Sequence, residues 1–309
     1  MSKRVFIFAL IIATFALSFV SLAQALPELP RVYIDTTMPV QAGQTFTITS
    51  CTSLQSTINN AQLGDTIIID SSLTCTGNYV LPAKATGTGW IIIKSSALAN
   101  LPPEGVRIDP TVHSQYMPKI VSPNVSPAIR TDFGAHHYRF VGIEITTTTN
   151  NYNLILFGYD ANGNFATTLS QLPYDIIFDR SYIHGNPTSN VRRGIAMNSA
   201  STAVIDSYLS DFHEVGADSQ AIAGWNAPGP FKIVNNYLEG SGENLIFGGA
   251  GSVIAGVIPS DMEIRRNYFF KPLTWKVGDP SYAGIQWTVK NSFELKNAQR
   301  VLFEGNVLK

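Results

Sequence analysis

A short pattern of apolar and small polar positions recurs along the second half of the chain. Each copy has an apolar residue, two variable residues, a small polar residue, an aromatic or aliphatic residue and a large apolar residue. The small polar position is filled, in chain order, by Ser181, Ser207, Asn236, Asn267 and Asn306. Successive copies therefore lie 26, 29, 31 and 39 residues apart, and a degenerate copy centred on Ile143 stands 38 residues before the first. Irregular spacing of this kind is typical of a solenoid whose coils carry loops of different length.

Strand periodicity surrounds each copy. Apolar side chains alternate with variable ones before the small polar position, as expected for a β-strand with one buried face. Further short apolar runs, such as residues 195–197 and 245–247, lie between the copies, so each coil should hold at least two strands. Coils stacked about 4.8 Å apart would place equivalent side chains in columns, where buried amides can bond to one another. The pattern predicts an all-β fold, a right-handed parallel β-helix, with Asn236 and Asn267 buried in one polar column.

The N-terminal end of the solenoid carries a different pattern. Residues 52–55 have the form of a capping box, and Leu54, Ile58 and Ala61 give one apolar face before Gly64. These features predict a short amphipathic helix. Such a helix would cover the open end of the apolar core, where exposed strand edges invite aggregation.

The repeat also predicts the extent of the domain. We expect residues 26–309 to form one β-helix domain, with the cap and first coils over about residues 45–95 and regular coils over about residues 137–309. Residues 300–309 begin a fresh copy of the repeat and then stop. We therefore expect the sequence to be a fragment or its last coil to be covered by a partner, and we favour the fragment. An uncapped last coil should self-associate.

The first residues read as an export signal. Lys3 and Arg4 precede an almost wholly apolar run over residues 5–20, and small residues follow up to Ala25. This arrangement predicts a signal peptide over residues 1–25, with an uncleaved membrane anchor as the alternative. In either case, the domain should be secreted, periplasmic or at the cell surface.

Composition narrows the partners of the exported domain. The formal net charge of the whole chain is −1 and charged residues make up 14% of it, which argues against nucleic-acid binding. After residue 25, no segment is long and apolar enough to cross a membrane. Cys51 and Cys75 are the chain's two cysteines, and in an oxidising compartment we expect them to form a disulfide. The alternative is that they are two small buried residues that do not meet.

Three segments of the chain resemble the right-handed parallel β-helix proteins of the pectate lyase-like superfamily. They are residues 54–65 leading into the strand at 66–69, residues 138–143, and the Asn-Asn-Tyr-Leu type of coil at 235–238. The resemblance covers most of residues 45–309. The superfamily includes polysaccharide lyases, glycoside hydrolases, tailspike-like depolymerases and non-catalytic surface proteins, so the resemblance implies the fold more strongly than one activity. Members that act on sugars bind polysaccharide along an outer sheet face, and the lyases commonly use calcium with Arg or Lys as base.

Alignment of the coils gives a first polar column, at the start of the strands between repeats. Arginines, acids and amides there suit work on acidic sugars, because Arg neutralises a uronate carboxylate, amides bind hydroxyls and acids transfer protons. The candidate residues are Arg192, Arg193, Asp218 and Glu243 for catalysis, and Gln220, Asn244 and Trp225 for substrate binding. The alternative is a structural ladder of polar turn residues.

A second polar column follows the repeat strands and contains His184, Asp211, His213, Glu214, Glu239 and Lys271. His213 with carboxylates nearby could act as a general base. Asp211, Glu214 and Glu239 supply oxygen ligands for calcium, the expected cofactor. The alternative is that these polar residues only form a solvent-exposed edge where the loops leave the strands.

These features favour a secreted carbohydrate-active protein. The leading hypothesis is a lyase that cleaves an acidic polysaccharide by β-elimination, with Arg192 or Arg193 neutralising the carboxylate and His213 or a neighbouring Arg taking the proton. The alternatives are a glycoside hydrolase that uses Asp218 and Glu243 as paired carboxylates, and a non-catalytic surface or adhesion protein.

Overall fold

The computed structural model describes residues 26–309, and the predicted signal peptide over residues 1–25 lies outside the described residues. Within the described part, the strands form three sheets in which every neighbouring pair is parallel. The chain passes through sheet 1, sheet 2 and sheet 3 in turn and then returns to sheet 1 one coil further on. The predicted right-handed parallel β-helix is confirmed.

The strand bounds show how regularly the coils are built. Sheet 1 contains Thr45–Ile48, Thr66–Ile69, Ile91–Ser95, His136–Val141, Tyr174–Asp179, Thr202–Ile205, Phe231–Val234, Ser260–Arg265 and Gln299–Glu304. Sheet 2 contains Thr74–Thr76, Lys119–Ser122, Glu144–Thr147, Tyr182–His184, Tyr208–Phe212, Tyr237–Gly240, Tyr268–Phe270 and Val307–Leu308. Sheet 3 contains Tyr79–Leu81, Ile129–Thr131, Asn151–Leu156, Val191–Ala196, Gln220–Gly224, Glu243–Phe247 and Phe293–Leu295.

The core is a set of apolar columns, because parallel pairing places one inward residue of each coil against the next. In sheet 1, one such column runs through Ile93, Phe140, Phe178, Val204, Ile233 and Ile264. All six side chains are fully or almost fully buried. The column continues to Phe303, which is 37% exposed because no further coil covers it within the described residues.

The polar column at the corner between sheets 1 and 2 is confirmed. The Ser181 amide donates to Ser207 Oγ at 3.0 Å, and the Ser207 amide donates to Asn236 Oδ1 at 2.9 Å. The Asn236 side chain donates to Asn267 Oδ1 at 3.0 Å, and the Asn267 side chain donates to Asn306 Oδ1, also at 3.0 Å. Each coil thus satisfies polar groups of its neighbour, as buried polar groups require.

The predicted N-terminal helix is present as α1 (Leu54–Asn60), which follows a 3₁₀ turn at Cys51–Ser53. Leu54 and Ile58 are its buried residues, so the helix closes the apolar core. The predicted capping box does not form: the Gln55 side chain instead exchanges two hydrogen bonds with the backbone of Val80, at 2.8 and 2.9 Å. These bonds attach α1 to the first strand of sheet 3. A disulfide between Cys51 and Cys75 attaches the preceding turn to the first strand of sheet 2.

Two segments cover the outside of the solenoid. One contains the 3₁₀ turn Leu98–Asn100, the short helix α2 (Pro110–His113) and the 3₁₀ turn Ser114–Tyr116, and it packs on the tyrosines of sheet 2. The other, residues 31–37, crosses the outer face of sheet 1, and we call it the N-terminal strap. Two further 3₁₀ turns, Leu169–Gln171 and Leu273–Trp275, lie in loops. Among residues 26–309, no helix is long and apolar enough to span a membrane.

The N-terminal strap is held by side chains from separate coils. The backbone amide of Arg31 donates to Asp261, and Lys232 Nζ donates to Thr36 Oγ1, both at 2.8 Å. Arg139 donates to the Thr36 carbonyl at 2.8 Å. The strap therefore runs along the solenoid axis, across several strands of sheet 1.

Candidate functional site

A row of polar side chains crosses sheet 3 near the start of its strands. Parallel pairing aligns one residue from each of four successive coils: Asn153, Arg193, Gln220 and Glu243. The Arg193 guanidinium donates to Gln220 Oε1 at 3.1 Å and to Asn153 Oδ1 at 3.3 Å. The Gln220 amide donates to Glu243 Oε2 at 2.8 Å, so its oxygen faces Arg193. The row is a continuous hydrogen-bonded chain with a carboxylate at one end.

The floor beside this row is apolar. Ala196, Ala223 and Ile246 pack together, and Trp225 stands against them. A cavity of about 310 Å³ opens between this floor and the polar row. We call it the sheet 3 groove, and its defining residues are Arg193, Asp218, Gln220, Trp225, Glu243 and Lys290.

Lys290 reaches the groove from the long loop between sheets 2 and 3 of the last described coils. Its ammonium lies 2.7 Å from Asp218 Oδ2 and 3.0 Å from Glu243 Oε1. Hydrogen bonds to Asp218 and Glu243 raise the pKa of Lys290 above its ordinary value. One ammonium therefore bridges both carboxylates of the groove.

Arg192 is neutralised at the edge of the groove. Glu214 accepts two hydrogen bonds from its guanidinium, one of them at 2.7 Å. The third nitrogen, Nη1, donates to the hydroxyl of Tyr152 at 2.7 Å. The Arg192 guanidinium also lies 4.3 Å from the centre of the Tyr152 ring, so the arginine contacts both the face and the hydroxyl of that tyrosine.

Arg193 differs from Arg192 and Lys290 in its charge environment. Its hydrogen-bond acceptors are the neutral amides of Gln220 and Asn153, and it forms no ion pair with a carboxylate of residues 26–309. Its guanidinium lies 5.1 Å from the ring centres of both Tyr152 and Trp225. The groove therefore presents one arginine that is held in place by neutral and aromatic neighbours and is available to an anionic ligand.

The structure brings most of the first predicted column together. Arg193, Gln220 and Glu243 share one row, Asp218 and Trp225 line the same cavity, and Arg192 adjoins it. Asn244 is the exception. It is fully buried, and its amide donates to the carbonyls of Leu238 and Phe270, so it links neighbouring coils and does not reach the groove.

The structure does not support the predicted role of His213 as a base. Its ring is fully buried, stacked 3.8 Å from the Trp287 ring and in edge contact with Trp275. Burial lowers the pKa of His213 to about 4. The ring is thus neutral and shielded from any glycan on the outer surface. The two tryptophans also line a larger cavity of about 790 Å³. Lys271 and aliphatic residues of the same loop line it as well.

The residues predicted to bind calcium lie apart. Asp211 and Glu239 are neighbours on sheet 2, where the Asp211 amide donates to Glu239 Oε1 at 3.1 Å. Burial and the charge of Asp211 raise the pKa of Glu239 to about 7. Glu214 instead binds Arg192 beside the groove. Within residues 26–309, no three His, Cys, Asp or Glu side chains converge in a way that could hold a metal ion, so Asp211, Glu214 and Glu239 do not form one shared site.

The remaining residues of the second column have structural partners. His184 Nε2 lies 3.2 Å from Glu144 Oε1, and its ring stacks on Tyr182. Lys271 donates to three consecutive backbone carbonyls, those of Gly240, Ser241 and Gly242, at 2.6 to 3.0 Å. Both side chains serve to hold coils and loops together.

Sequence reasoning missed three residues of the site: Tyr152, Asn153 and Lys290. Asn153 stands two residues before the inward Ile155, the same offset that separates Arg193 from Ile195. That offset could have identified Asn153 and its neighbour Tyr152. Lys290 belongs to a loop outside the repeat, so the repeat carries no signal for it.

Comparison with known proteins gives similarity of structure only. No protein-family model and no curated protein sequence matches the chain. Among solved structures, the chain is similar to an alginate lyase from Paenibacillus sp. strain FPU-7, with 13% identity, a TM-score of 0.43, and coverage of 86% of this chain and 96% of that one. It is also similar to pectate lyase Pel9A, with 11% identity, a TM-score of 0.40, and coverage of 87% and 80%.

A third similar structure is the PL6-family alginate lyase AlyGC, with 12% identity and a TM-score of 0.30. The match covers 72% of this chain and 38% of that protein. At these TM-scores, the assignment of the parallel β-helix rests on the three sheets described above. The function has to be argued from the groove itself.

Proposed function

We propose that this chain is a secreted polysaccharide lyase that binds an acidic glycan in the sheet 3 groove and cleaves it by β-elimination. The observation that carries the proposal is Arg193, a fixed arginine without a carboxylate partner in residues 26–309. A uronate carboxylate beside Arg193 would be neutralised by charge-assisted hydrogen bonds. Neutralisation makes the hydrogen on the adjacent sugar carbon, C5, more acidic, which is the main requirement of β-elimination.

The groove also suits the rest of a sugar chain. Trp225 lines the groove beside Arg193, and the partly exposed Asn153 amide can bind a hydroxyl group. Gln220 is buried between Arg193 and Glu243 and holds the arginine in place. The row runs across strands of successive coils, so a glycan lying on it would extend along the solenoid axis.

The same contacts argue against the hydrolase alternative. Asp218 and Glu243 would have to serve as an acid and a base or nucleophile. Both are instead bound to the single ammonium of Lys290, and Glu243 is fully buried. Two carboxylates that share one ammonium are not placed as a separate acid and base on either side of a sugar.

A lyase and a hydrolase leave different products, so one experiment separates them. The protein over residues 26–309 is incubated with a panel of uronate polymers and neutral polysaccharides, with added calcium and with a chelator in parallel. We expect ultraviolet absorbance from unsaturated uronate ends. New reducing ends without that absorbance would establish a hydrolase, and neither product on any polymer would leave a binding protein. The chelator arm tests the predicted use of calcium.

Arg193 provides the residue-specific arm of this test. Arg193→Ala should lower kcat/KM about 100-fold or more, since it removes the only proposed stabiliser of the developing charge. Arg130→Ala is the matched control, because Arg130 lies on the same sheet and already pairs with Asp132 at 2.8 Å. Equal activities of the two variants would refute the assignment of Arg193.

We also propose that the protein acts outside the cytoplasm. The Cys51–Cys75 disulfide supports this, because structural disulfides persist in oxidising compartments. Fractionation of a bacterium that expresses the full chain, with the mature N-terminus determined by mass spectrometry, tests both secretion and cleavage after Ala25. Retention in the cytoplasm with Met1 intact would contradict the proposal.

A further inference from the structure

Tyr152 lies at the edge of the groove, and neither packing in the core nor pairing with a carboxylate explains its position. It lies on the strand Asn151–Leu156 beside Asn153, and 52% of its surface is exposed. Two guanidinium groups, those of Arg192 and Arg193, lie 4.3 and 5.1 Å from its ring centre. Its hydroxyl accepts a hydrogen bond from Arg192 at 2.7 Å. An exposed phenol is thus fixed by Arg192 and lies beside Arg193, the arginine that we assign to the substrate carboxylate.

The surrounding charges favour the phenolate form of Tyr152. Burial alone would raise the pKa of Tyr152, but the neighbouring Arg193 and Arg192 outweigh burial, and the net effect is a pKa below the ordinary value. Glu214 holds Arg192 in this position through two hydrogen bonds. The arrangement therefore contains a base, a cation that stabilises its ionised form, and a carboxylate that orients the cation.

The other ionisable groups near the groove are less suited to remove a proton. Lys290 is bound to two carboxylates, and Asp218 and Glu243 are bound to Lys290. Arg192 is paired with Glu214. His213 is buried beneath Trp287. Tyr152, by contrast, is exposed and fixed, and its charged neighbours are two arginines, which favour its ionised form.

We propose that Tyr152 is the catalytic base and acid of the β-elimination, an inference that rests on the proposed function. The phenolate removes the hydrogen from C5 of the uronate while Arg193 binds the carboxylate. The electron pair of the C5–H bond becomes the C4–C5 double bond, and the C4–O bond to the leaving sugar breaks. The leaving oxygen takes the proton from the Tyr152 phenol, so the phenolate is restored and no co-reactant is needed.

This chemistry predicts the substrate class. Because one hydroxyl both takes and returns the proton, the C5 hydrogen and the C4 oxygen must lie on the same face of the sugar ring. Mannuronate and glucuronate have this configuration, since the oxygen on C4 is equatorial. In galacturonate and guluronate the two groups lie on opposite faces. We therefore infer a preference for polymers of manno- or gluco-configured uronates.

The pH profile tests the role of Tyr152 directly. Activity should rise with pH as Tyr152 ionises. Arg192→Gln removes a stabilising charge and should shift this rise to higher pH, whereas Glu214→Gln leaves Arg192 unneutralised and should shift it to lower pH. A residue that only supports the fold would not give shifts of opposite sign.

The decisive comparison is between Tyr152→Phe and Tyr33→Phe, a half-exposed tyrosine in the N-terminal strap. Tyr152→Phe should lower kcat at least about 100-fold with little change in KM, while Tyr33→Phe keeps wild-type activity. Unchanged thermal unfolding of both variants shows that they fold.

If the wild type releases no unsaturated product from any uronate polymer, the proposed function itself fails. If the wild type is active and Tyr152→Phe keeps more than about a tenth of its kcat, Tyr152 is not the base. Faster cleavage of polygalacturonate than of polymannuronate would overturn the same-face geometry.

Discussion

Replacement of Asn236 by Leu tests what the polar column contributes to stability. Asn236 is fully buried, and its side chain serves two neighbouring coils. Its oxygen accepts from the Ser207 amide at 2.9 Å, and its nitrogen donates to the Val204 carbonyl at 2.7 Å and to Asn267 Oδ1 at 3.0 Å. Asn267 Oδ1 keeps a second bond from the Asn236 backbone amide, and the Val204 carbonyl keeps its place in the parallel ladder with the next strand. Leucine would therefore leave the Ser207 N–H without a partner and would remove the side-chain bonds to Val204 and Asn267.

The size of the effect follows from these three lost bonds. The Ser207 N–H left without a partner costs about 1–3 kcal/mol, and each of the other two bonds contributes about 0.5–1.5 kcal/mol, so the loss is about 2–6 kcal/mol. Burial of the leucine side chain returns about 1.5–3 kcal/mol. We therefore expect Asn236→Leu to lower the free energy of unfolding by about 2 kcal/mol. Asn236→Ser should cost less, because Ser207 shows that a serine in this column can accept the amide bond from the next coil.

The assay is urea unfolding followed by circular dichroism, with the slope against urea compared between variants. Asn60→Leu is the control, because Asn60 is exposed at the end of α1 and should change the free energy by less than about 0.5 kcal/mol. The reasoning is refuted if Asn236→Leu is as stable as the control, or if the leucine and serine variants lose the same amount.

Three further predictions concern other parts of the molecule. Glu239→Gln should have the same free energy of unfolding as the wild type near pH 4.5 and a free energy about 3 kcal/mol higher above pH 7. The reason is that the wild type loses stability as a carboxyl with a raised pKa of about 7 ionises. Unfolding at both pH values measures this, and a difference that does not change with pH would contradict it. The double substitution Cys51→Ser and Cys75→Ser should lower the free energy of unfolding by about 3 kcal/mol, because the disulfide closes a loop with a separation of 24 residues and so restricts the unfolded chain. A loss below about 1 kcal/mol would show that the cap does not depend on the disulfide. The protein over residues 26–309 should self-associate through the coil at residues 299–309, because Phe303 and Leu308 are exposed there. Amide protection should fall toward Lys309. Sedimentation and hydrogen exchange test this, and a monodisperse monomer with uniform protection would refute it.

The fold was predictable because its determinants repeat. Each coil must supply an inward apolar residue and a small polar residue at the same corner. The recurrence of Ser207, Asn236 and Asn267 therefore predicts stacked coils even when the loops between them are unknown. The alignment of Arg193, Gln220 and Glu243 follows from the same register, since each stands two residues before an inward residue of sheet 3.

The rest of the site was not predictable because it depends on loops and on local twist. Lys290 comes from a segment without a repeat, and His213 is enclosed by two tryptophans of that same segment. Asn244 follows Glu243 directly, yet it turns to bind the carbonyls of Leu238 and Phe270. No periodicity distinguishes these outcomes, because each is decided by the contacts of one coil.

The N-terminal strap has a consequence for the order in which the protein folds. Its residues are made early, yet Arg31 binds Asp261, which lies 230 residues further along the chain. The strap can therefore dock only after the coils from Arg139 to Asp261 have stacked, whereas those coils gain stability from their immediate neighbours. We expect a nascent chain to build the solenoid first and to close the strap as a late, slow step. Until then, the outer face of sheet 1 remains open, and the residues next to the predicted cleavage site remain accessible to a peptidase.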